Sequence, residues 1–264
     1  ARDGADGAPH PQAPNAQRKS AARKGKQTMT KNVAAQKLSP GKRAEEAVRL
    51  LESLYPDAQC SLKSDGEAWR LLVMARLSAQ CTDERVNEVC VSLFRAFPTA
   101  QAMAEAPIEE IEKIIRPCGL YRGKAQSIKS ASEIISDKYG GRVPDTMEEL
   151  LALPGVGRKI ANLVLGDVYG KGGIVADTHC MRICARLGFY PEGDKDPLKT
   201  EKIMEALIAR EKQSEFCHRL VIFGRDICTA RSPSCGRCPL RGICLHYENI
   251  RDTDKPTERT QEKQ

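Results

Sequence analysis

Long apolar runs and stretches of alternating apolar and polar residues are both missing from this 264-residue chain. A transmembrane helix needs about 20 consecutive apolar residues, and no run reaches that length. The N-terminus has no apolar segment after its first charges, so it does not resemble a secretory signal. Because no stretch alternates with period two, strands are not expected. We therefore predict an all-α protein located in the cytoplasm.

The part of the chain that can fold also lacks a large net charge. The net charge is +7, but residues 1–38 contain eight Lys/Arg and two Asp, which account for +6 of it. These residues have almost no large apolar side chains and cannot bury enough surface to offset ordering entropy. We predict a disordered basic tail at 1–38 and a polar tail at 249–264. Bulk charge does not mark the remainder as a nucleic-acid binder, so local features must decide.

A secreted disulfide framework is absent too, although the chain has eleven cysteines. Their number is odd, and seven of them stand singly inside apolar, periodic stretches, unlike the cysteines of a disulfide scaffold. We interpret these seven as small buried hydrophobic residues. They are Cys60, Cys81, Cys90, Cys118, Cys180, Cys184 and Cys217.

Helical periodicity accounts for most of the chain between the tails. In 83–97 the apolar residues recur at the spacing of one helical face. Pro40 suits the first turn of another helix, and Thr146 with Glu149 forms a capping-box pattern. The remaining predicted helices are 107–116, 123–138, 146–152, 158–168, 178–187, 197–210 and 214–223.

A glycine turn joins two of these helices at Leu153-Pro-Gly-Val-Gly157. Gly155 and Gly157 permit positive φ and remove side chains from the turn. Such a turn can offer backbone N–H groups to a DNA phosphate, although an ordinary helix connection uses the same residues. Lys159 follows in the first helical turn, where the helix dipole and Arg158 disfavour its protonated form. A neutral lysine can act as a nucleophile, whereas most lysines are solvated surface residues.

A carboxylate precedes the next helix in Val175-Ala-Asp177-Thr-His179. Asp177 is placed as an N-cap, and capping alone would account for it. A carboxylate held rigidly by capping can also stabilise a cationic transition state.

Four cysteines near the C-terminus form the pattern C-x6-C-x2-C-x5-C, at Cys228, Cys235, Cys238 and Cys244. Four thiols this close together indicate a metal or cluster site. Zinc sites usually combine two short C-x-x-C knuckles, and only one is present, so iron–sulfur is favoured while zinc stays open. Residues 225–244 also carry four arginines against one acid, a basic patch suited to phosphate contact. These arginines are Arg225, Arg231, Arg237 and Arg241.

Together these motifs resemble the endonuclease III family of helix–hairpin–helix DNA glycosylases. The resemblance rests on Leu153–Asn162, Asp177-Thr-His179 and the cysteine spacing, with further matches at 77–83, 119–125 and 223–225. It extends over roughly residues 40–248. The family implies two helical domains flanking a DNA-binding cleft: a six-helix domain at 61–171, and an iron–sulfur cluster domain formed by 39–60 and 172–248.

The resemblance also implies the activity and the roles of individual residues. The expected enzyme is a bifunctional glycosylase and AP lyase of base-excision repair. It would remove oxidised pyrimidines and cleave the abasic site by β-elimination, with Lys159 as nucleophile and Asp177 as the essential carboxylate. The cofactor would be a 4Fe–4S cluster on the four cysteines. Expected DNA contacts are Gln80, Leu120, Gly155, Gly157, Arg158, His179, Arg225 and Arg231.

Double-stranded DNA containing damaged pyrimidines or abasic sites is the implied partner, bound by a monomer associated with the bacterial nucleoid.

An adenine-specific mismatch glycosylase shares the hairpin, the aspartate and the cluster, but has no lysine at the position of Lys159 and adds a long C-terminal domain. A non-catalytic DNA-binding module would need neither Lys159 nor Asp177, and an electron carrier would need no hairpin. Three departures from the family pattern, Gly166-Asp167, Ala176 and Phe223, are expected to affect substrate range and not the reaction.

Overall fold

The computed structural model describes residues 38–253, so the tail predicted at 1–38 lies outside that range except for Leu38, and the tail predicted at 249–264 lies outside it from residue 254 on. Within it the chain forms α-helices, loops and short 3-10 turns, with no strand, so the all-α prediction is confirmed. The helices are α1 Pro40–Leu54, α2 Ala68–Leu77, α3 Asp83–Ala96, α4 Ala100–Glu105, α5 Ile108–Ile115, α6 Tyr121–Tyr139, α7 Met147–Leu151, α8 Arg158–Asp167, α9 Thr178–Leu187, α10 Pro197–Leu207, α11 Gln213–Asp226 and α12 Leu245–Thr253.

The helices pack in two groups that share one continuous apolar core. Helices α2 to α8 contact mainly one another, whereas α1 packs with α10 and α11, and α9 packs with α10, α11 and α12. The two groups meet where α8 contacts α11. The first group lies within the predicted six-helix domain at 61–171, and the second lies mostly within the predicted cluster domain at 39–60 and 172–248. The exact domain boundaries stay a prediction.

Helix α2 was not predicted because it is apolar on all sides. Six of its ten residues are buried, so no polar face marks its period. Helix α4 has only six residues, too few to show a period. By contrast, α3 buries Val86, Val89, Cys90 and Leu93 on the predicted face.

Three predicted boundaries differ from the structure by three residues or more. Helix α10 ends at Leu207, not at 210, and a separate 3-10 turn covers Arg210–Lys212. Helix α11 continues to Asp226, not 223. Residues 249–253, predicted to belong to a polar tail, are helical, because α12 continues to Thr253. No helix among residues 38–253 is long and apolar enough to cross a membrane.

Candidate active site and cluster site

A cavity of about 300 Å³ lies where α8, α9 and α11 face the loop between α1 and α2. Lys159 enters it from the first turn of α8, Asp177 from the N-cap of α9, and Arg225 from α11. Lys159 and Asp177, predicted from separate motifs, therefore line one cavity. The other lining residues used below are Cys60, Cys81, Asp83, His179 and His218.

The two hairpin glycines have different structural roles. Gly155 has φ +77°, and a Cβ there would lie 2.7 Å from the Cβ of Ser127. Gly157 has φ −101° and ψ 176°, an extended conformation open to any residue, and a Cβ would meet nothing within 4 Å. Positive φ, which both glycines permit, is thus adopted by Gly155 only. Gly155 lets the hairpin pack closely, whereas Gly157 leaves open space in front of the backbone.

Helix α8 begins without a side-chain cap. A helix leaves its first N–H groups without intrahelical partners, and six other helices use a Ser, Thr or Asp cap to satisfy some of them. These caps are Ser39, Thr82, Thr99, Thr146, Asp177 and Asp196. The bare end of α8, beside Gly157, is therefore available to an anion such as a phosphate.

Arg158 does not act on Lys159 as an isolated charge. Its guanidinium donates from Nε to both carboxylate oxygens of Glu201, each at 3.0 Å, and from a terminal nitrogen to Oε1. The Glu201 side chain is 3% exposed, so the arginine neutralises a buried carboxylate. The predicted DNA contact of Arg158 therefore competes with this ion pair.

Asp177 caps α9 as predicted. Its Oδ1 accepts the backbone N–H groups of His179 at 2.9 Å and Cys180 at 2.7 Å. Within residues 38–253 no hydrogen bond reaches Oδ2, and the side chain lines the cavity. One carboxylate oxygen is thus fixed by the helix while the other remains available for chemistry.

His179 forms part of the cavity wall in its neutral state. Burial lowers its pKa, and the positive charges of Arg182, Arg225 and Lys159 lower it further against the opposing effect of Asp177. Arg182 lies 3.2 Å from Nδ1, a contact that favours a neutral ring accepting at that nitrogen. Gly224 makes the close approach possible, since a Cβ there would lie 2.4 Å from Nδ1.

A polar cluster beside the cavity was not predicted. The ligand atoms of Cys60, Asp167 and His218 lie within 4.8 Å of one another, and His218 Nε2 is 2.8 Å from Asp167 Oδ1. Ser214 donates to the same carboxylate. Cys60, expected to be a buried hydrophobic residue, is partly exposed and lines the cavity, as does Cys81. The Gly166-Asp167 departure was the available signal, since Asp167 contacts His218, which lines the cavity.

Gln80 and Leu120 share an unusual backbone conformation. They have φ +57° and +47°, and among residues 38–253 only one other non-glycine residue, Asp65, has positive φ. The left-handed region costs roughly 1–2 kcal/mol for a residue with a Cβ. Leu120 is 66% exposed, so an apolar side chain stands in solvent on a strained turn. Such strain is typical of functional positions.

The predicted basic patch at 225–244 is only partly free. Arg225 pairs with Asp83 at 2.9 Å, and Arg237 pairs with Asp226 at 3.3 Å. Arg231 is exposed, and no ion pair with it occurs within the described range. Of the two arginines predicted to contact DNA, Arg231 therefore offers its full positive charge, whereas the charge of Arg225 is partly neutralised by Asp83.

The four C-terminal cysteines line one cavity beneath α9. A tetrahedral zinc with Zn–S bonds of about 2.3 Å would bring the sulfur atoms to about 3.8 Å of one another. In the described part of the chain, the one group of three such ligand atoms within 4.8 Å is the Cys60 cluster. Among the described residues, no three of the C-terminal sulfurs are therefore gathered as closely as a single tetrahedral ion would need.

Arg186 holds this cysteine site to α9. It donates to the Cys228 sulfur at 3.2 Å and to the Thr229 carbonyl at 2.8 Å, and its own carbonyl lies 3.3 Å from the Cys244 sulfur. Burial raises the pKa of Cys238 to about 11 and that of Cys244 to about 12. Thiolates at these positions need a compensating positive charge, which a bound metal cluster supplies.

Comparisons with known proteins agree with both sites. A family model described as HhH-GPD superfamily base excision DNA repair protein matches residues 73–210. Endonuclease III of Synechocystis sp. is 42% identical over 207 residues, covering 78% of this chain and 93% of that protein. The chain belongs to the endonuclease III family. A second model, the iron–sulfur binding domain of endonuclease III, matches residues 228–244, so the iron–sulfur prediction is confirmed over zinc.

Other members of the endonuclease III family show the same extent of similarity. Endonuclease III of Escherichia coli is 36% identical over 215 residues, covering 81% of this chain and 99% of that protein. Two solved structures superpose with a TM-score of 0.75 at 38% identity, covering 81% of this chain and all of theirs. They are a non-covalent endonuclease III–DNA complex and a trapped endonuclease III–DNA covalent intermediate. The predicted fold of the family is thereby confirmed.

Proposed function

We propose that this protein is a bifunctional DNA glycosylase and AP lyase that removes oxidised pyrimidines from double-stranded DNA. The observation that carries the proposal is that Lys159 and Asp177 line one cavity beside an uncapped helix start. The DNA complex and the trapped covalent intermediate of the similar endonuclease III structures support both binding and covalent chemistry.

DNA binding begins at the hairpin. A backbone phosphate approaches Gly157 and accepts the open N–H groups at the start of α8. Arg231 adds a charge contact to the backbone, and Gly155 keeps the hairpin close to its neighbouring helices. Gln80 and Leu120 enter the duplex from their strained turns, so that the damaged nucleotide can leave the stack.

The reaction then takes place in the cavity. Lys159 Nζ attacks C1′ while the N-glycosidic bond breaks, and the base departs with the bonding electrons and takes up a proton. Asp177 Oδ2 stabilises the positive charge that develops on the sugar. Ring opening gives a Schiff base between Lys159 and C1′, which makes a 2′ proton acidic. Loss of that proton forms the 2′–3′ double bond and expels the 3′ phosphate, and water later releases the lysine.

The cluster belongs to a separate part of the fold. Cys228, Cys235, Cys238 and Cys244 would hold a 4Fe–4S cluster, which fits the one cavity that all four of them line. When bound, the cluster supplies covalent cross-links to a loop that has only short 3-10 turns. That rigid loop presents Arg231 to the DNA.

A mismatch-specific glycosylase is a less suitable function for this site. Such an enzyme needs no lysine at this position, whereas Lys159 projects into the cavity. A non-catalytic module would have no use for a carboxylate held with one oxygen available. The monomeric state and the cytoplasmic, nucleoid-associated location stay predictions.

Borohydride trapping tests the proposal directly. The native protein should form a covalent adduct with duplex DNA containing one thymine glycol or one abasic site, because borohydride reduces the Schiff base. Lys159→Gln should form none. Lys171→Gln is the matched control, since Lys171 is a surface lysine paired with Asp145 and should be trapped normally. An undiminished adduct from Lys159→Gln would refute the assignment of the nucleophile.

A further inference from the structure

Lys124 is a lysine buried in the apolar part of the fold. It lies on α6, one turn after the helix begins, and is 1% exposed. Burying an ammonium group is costly unless strong hydrogen bonds replace its water. Its Nζ donates to the carbonyl of Leu77 at 2.7 Å and to that of Cys118 at 2.9 Å. Neither acceptor belongs to α6, so the lysine connects its helix to two other segments.

The two acceptors lie at the base of the turns that carry Gln80 and Leu120. Leu77 is the last residue of α2, three residues before Gln80. Cys118 ends a 3-10 turn, two residues before Leu120. Both turns contain a non-glycine residue in the left-handed conformation, which persists only when the surroundings impose it. The Lys124 ammonium is one point of attachment shared by both turns.

Other contacts concentrate at the same junction. The backbone N–H of Lys124 donates to the Leu120 carbonyl at 3.2 Å. The thiols of Cys81 and Cys118 interact there, and burial raises the pKa of Cys118 to about 11. These contacts therefore hold the backbone segment next to Gln80 close to the backbone segment next to Leu120.

We propose that Lys124 is a positioning residue that sets the spacing of Gln80 and Leu120, so that both enter the duplex together. The proposal rests on the DNA-inserting role assigned to these two residues above. Lys124 does not line the cavity that contains Lys159 and Asp177. We therefore expect it to affect the opening of the base stack and not the chemical steps. The cleavage rate of a DNA substrate whose target nucleotide is already unstacked should therefore not depend on Lys124.

Two lysines of α6 allow a matched comparison. Lys129 also donates to two backbone carbonyls outside the helix, those of Ala104 and Ala106, but neither is near Gln80 or Leu120 in sequence. Lys124→Met and Lys129→Met each remove a lysine bound to two carbonyls. Lys124→Gln keeps a hydrogen-bond donor on a shorter side chain. It takes the place of Lys124→Met in the measurements if the methionine variant does not fold. Circular dichroism and thermal unfolding establish that each variant is folded.

The measurement is single-turnover cleavage of an abasic site in duplex DNA and in single-stranded DNA. We expect Lys124→Met to lower the duplex rate by about tenfold to a hundredfold, the loss typical of a misplaced group, with the single-strand rate nearly unchanged. The ratio of the two rates should stay at the native value in Lys129→Met. Lys124→Gln should recover part of the lost ratio. An equal fall on both substrates would show that Lys124 only stabilises the fold, and would overturn the proposal.

Gln80→Ala and Leu120→Ala separate this proposal from the one on which it rests. If both variants keep the native ratio, the DNA-inserting role is wrong. If both lower the ratio and neither Lys124 variant does, the inserting role stands and the positioning role of Lys124 is refuted. A fluorescent 2-aminopurine opposite the abasic site gives a second readout, because its emission rises when inserted side chains disturb stacking. Lys124→Met should reduce that rise, and a native rise would contradict the proposal.

Discussion

Asp177 accepts the backbone N–H of Cys180 through Oδ1 at 2.7 Å, while its side chain lines the cavity and no residue in 38–253 donates a hydrogen bond to its Oδ2. Capping and catalysis can therefore be separated by substitution. Asn retains a capping oxygen but carries no charge. We expect Asp177→Asn to remain folded and to bind DNA, and to lose about 10²–10⁴ in base excision, the usual contribution of such groups.

Asp196 provides the control for that variant. It caps α10 through the same pair of backbone contacts, to Leu198 and Lys199, and does not line the cavity. Asp196→Asn should therefore leave excision at the native rate. Excision by Asp177→Asn within about threefold of native would mean that Asp177 is only a cap.

The hairpin glycines should respond oppositely to the same substitution. Gly155→Ala introduces a Cβ at positive φ and in contact with Ser127, so it should destabilise the fold by roughly 1–3 kcal/mol. Gly157→Ala meets open space in an extended conformation and should leave stability near native. Its methyl group would instead occupy the space where a phosphate approaches, which should weaken binding. Urea unfolding and DNA titration measure the two effects, and stability losses of equal size would contradict the distinction.

Stability should depend on pH through His179. Because its pKa is lowered in the folded protein, the unfolded chain takes up a proton more readily than the folded one, and stability falls as the pH drops below about 6.5. His179→Gln cannot take up that proton. The loss of thermal stability between pH 7.5 and pH 5.5 should therefore be smaller in the variant than in the native protein. An identical loss in both would place the effect at other groups.

The cysteine site should contain iron and sulfide. Purified protein is expected to be brown, with iron and acid-labile sulfide in similar amounts, and Cys238→Ser should reduce both. Cys90→Ser is the control, because Cys90 is buried in α3 and is not one of the proposed ligands. One equivalent of zinc without sulfide would refute the cluster assignment.

The N-terminal tail should raise DNA affinity without selecting damaged sites. Its excess of lysine and arginine would contact phosphates diffusely, and each contact adds about 0.9 to the slope of log affinity against log salt. Deletion of residues 1–37 keeps Leu38, whose carbonyl accepts from Arg43. That deletion should flatten the slope and weaken binding to damaged and undamaged DNA alike. Equal slopes with and without the tail would show that it does not meet DNA.

Local chemistry was enough to identify much of this protein from its sequence. A single-face apolar repeat predicted α3, and Asp177 was recognisable as a cap because capping depends on residues two and three positions away. The spacing of the four cysteines indicated a cluster because the ligands of such a loop lie close together along the chain. These features depend on short stretches of backbone, so they are visible without any long-range contact.

Tertiary contacts decided the rest. Lys159 and Asp177 face one cavity only because α8 and α9 pack against α11, and no periodicity reveals that meeting. Arg158 was expected to act on Lys159, but Glu201, 43 residues away, holds it in an ion pair. The Cys60 cluster and the junction at Lys124 bring together residues far apart along the chain. The sequence by itself therefore determined the helices that have one apolar face and the groups that can react, whereas packing alone decided which of those groups share a cavity and which are already paired.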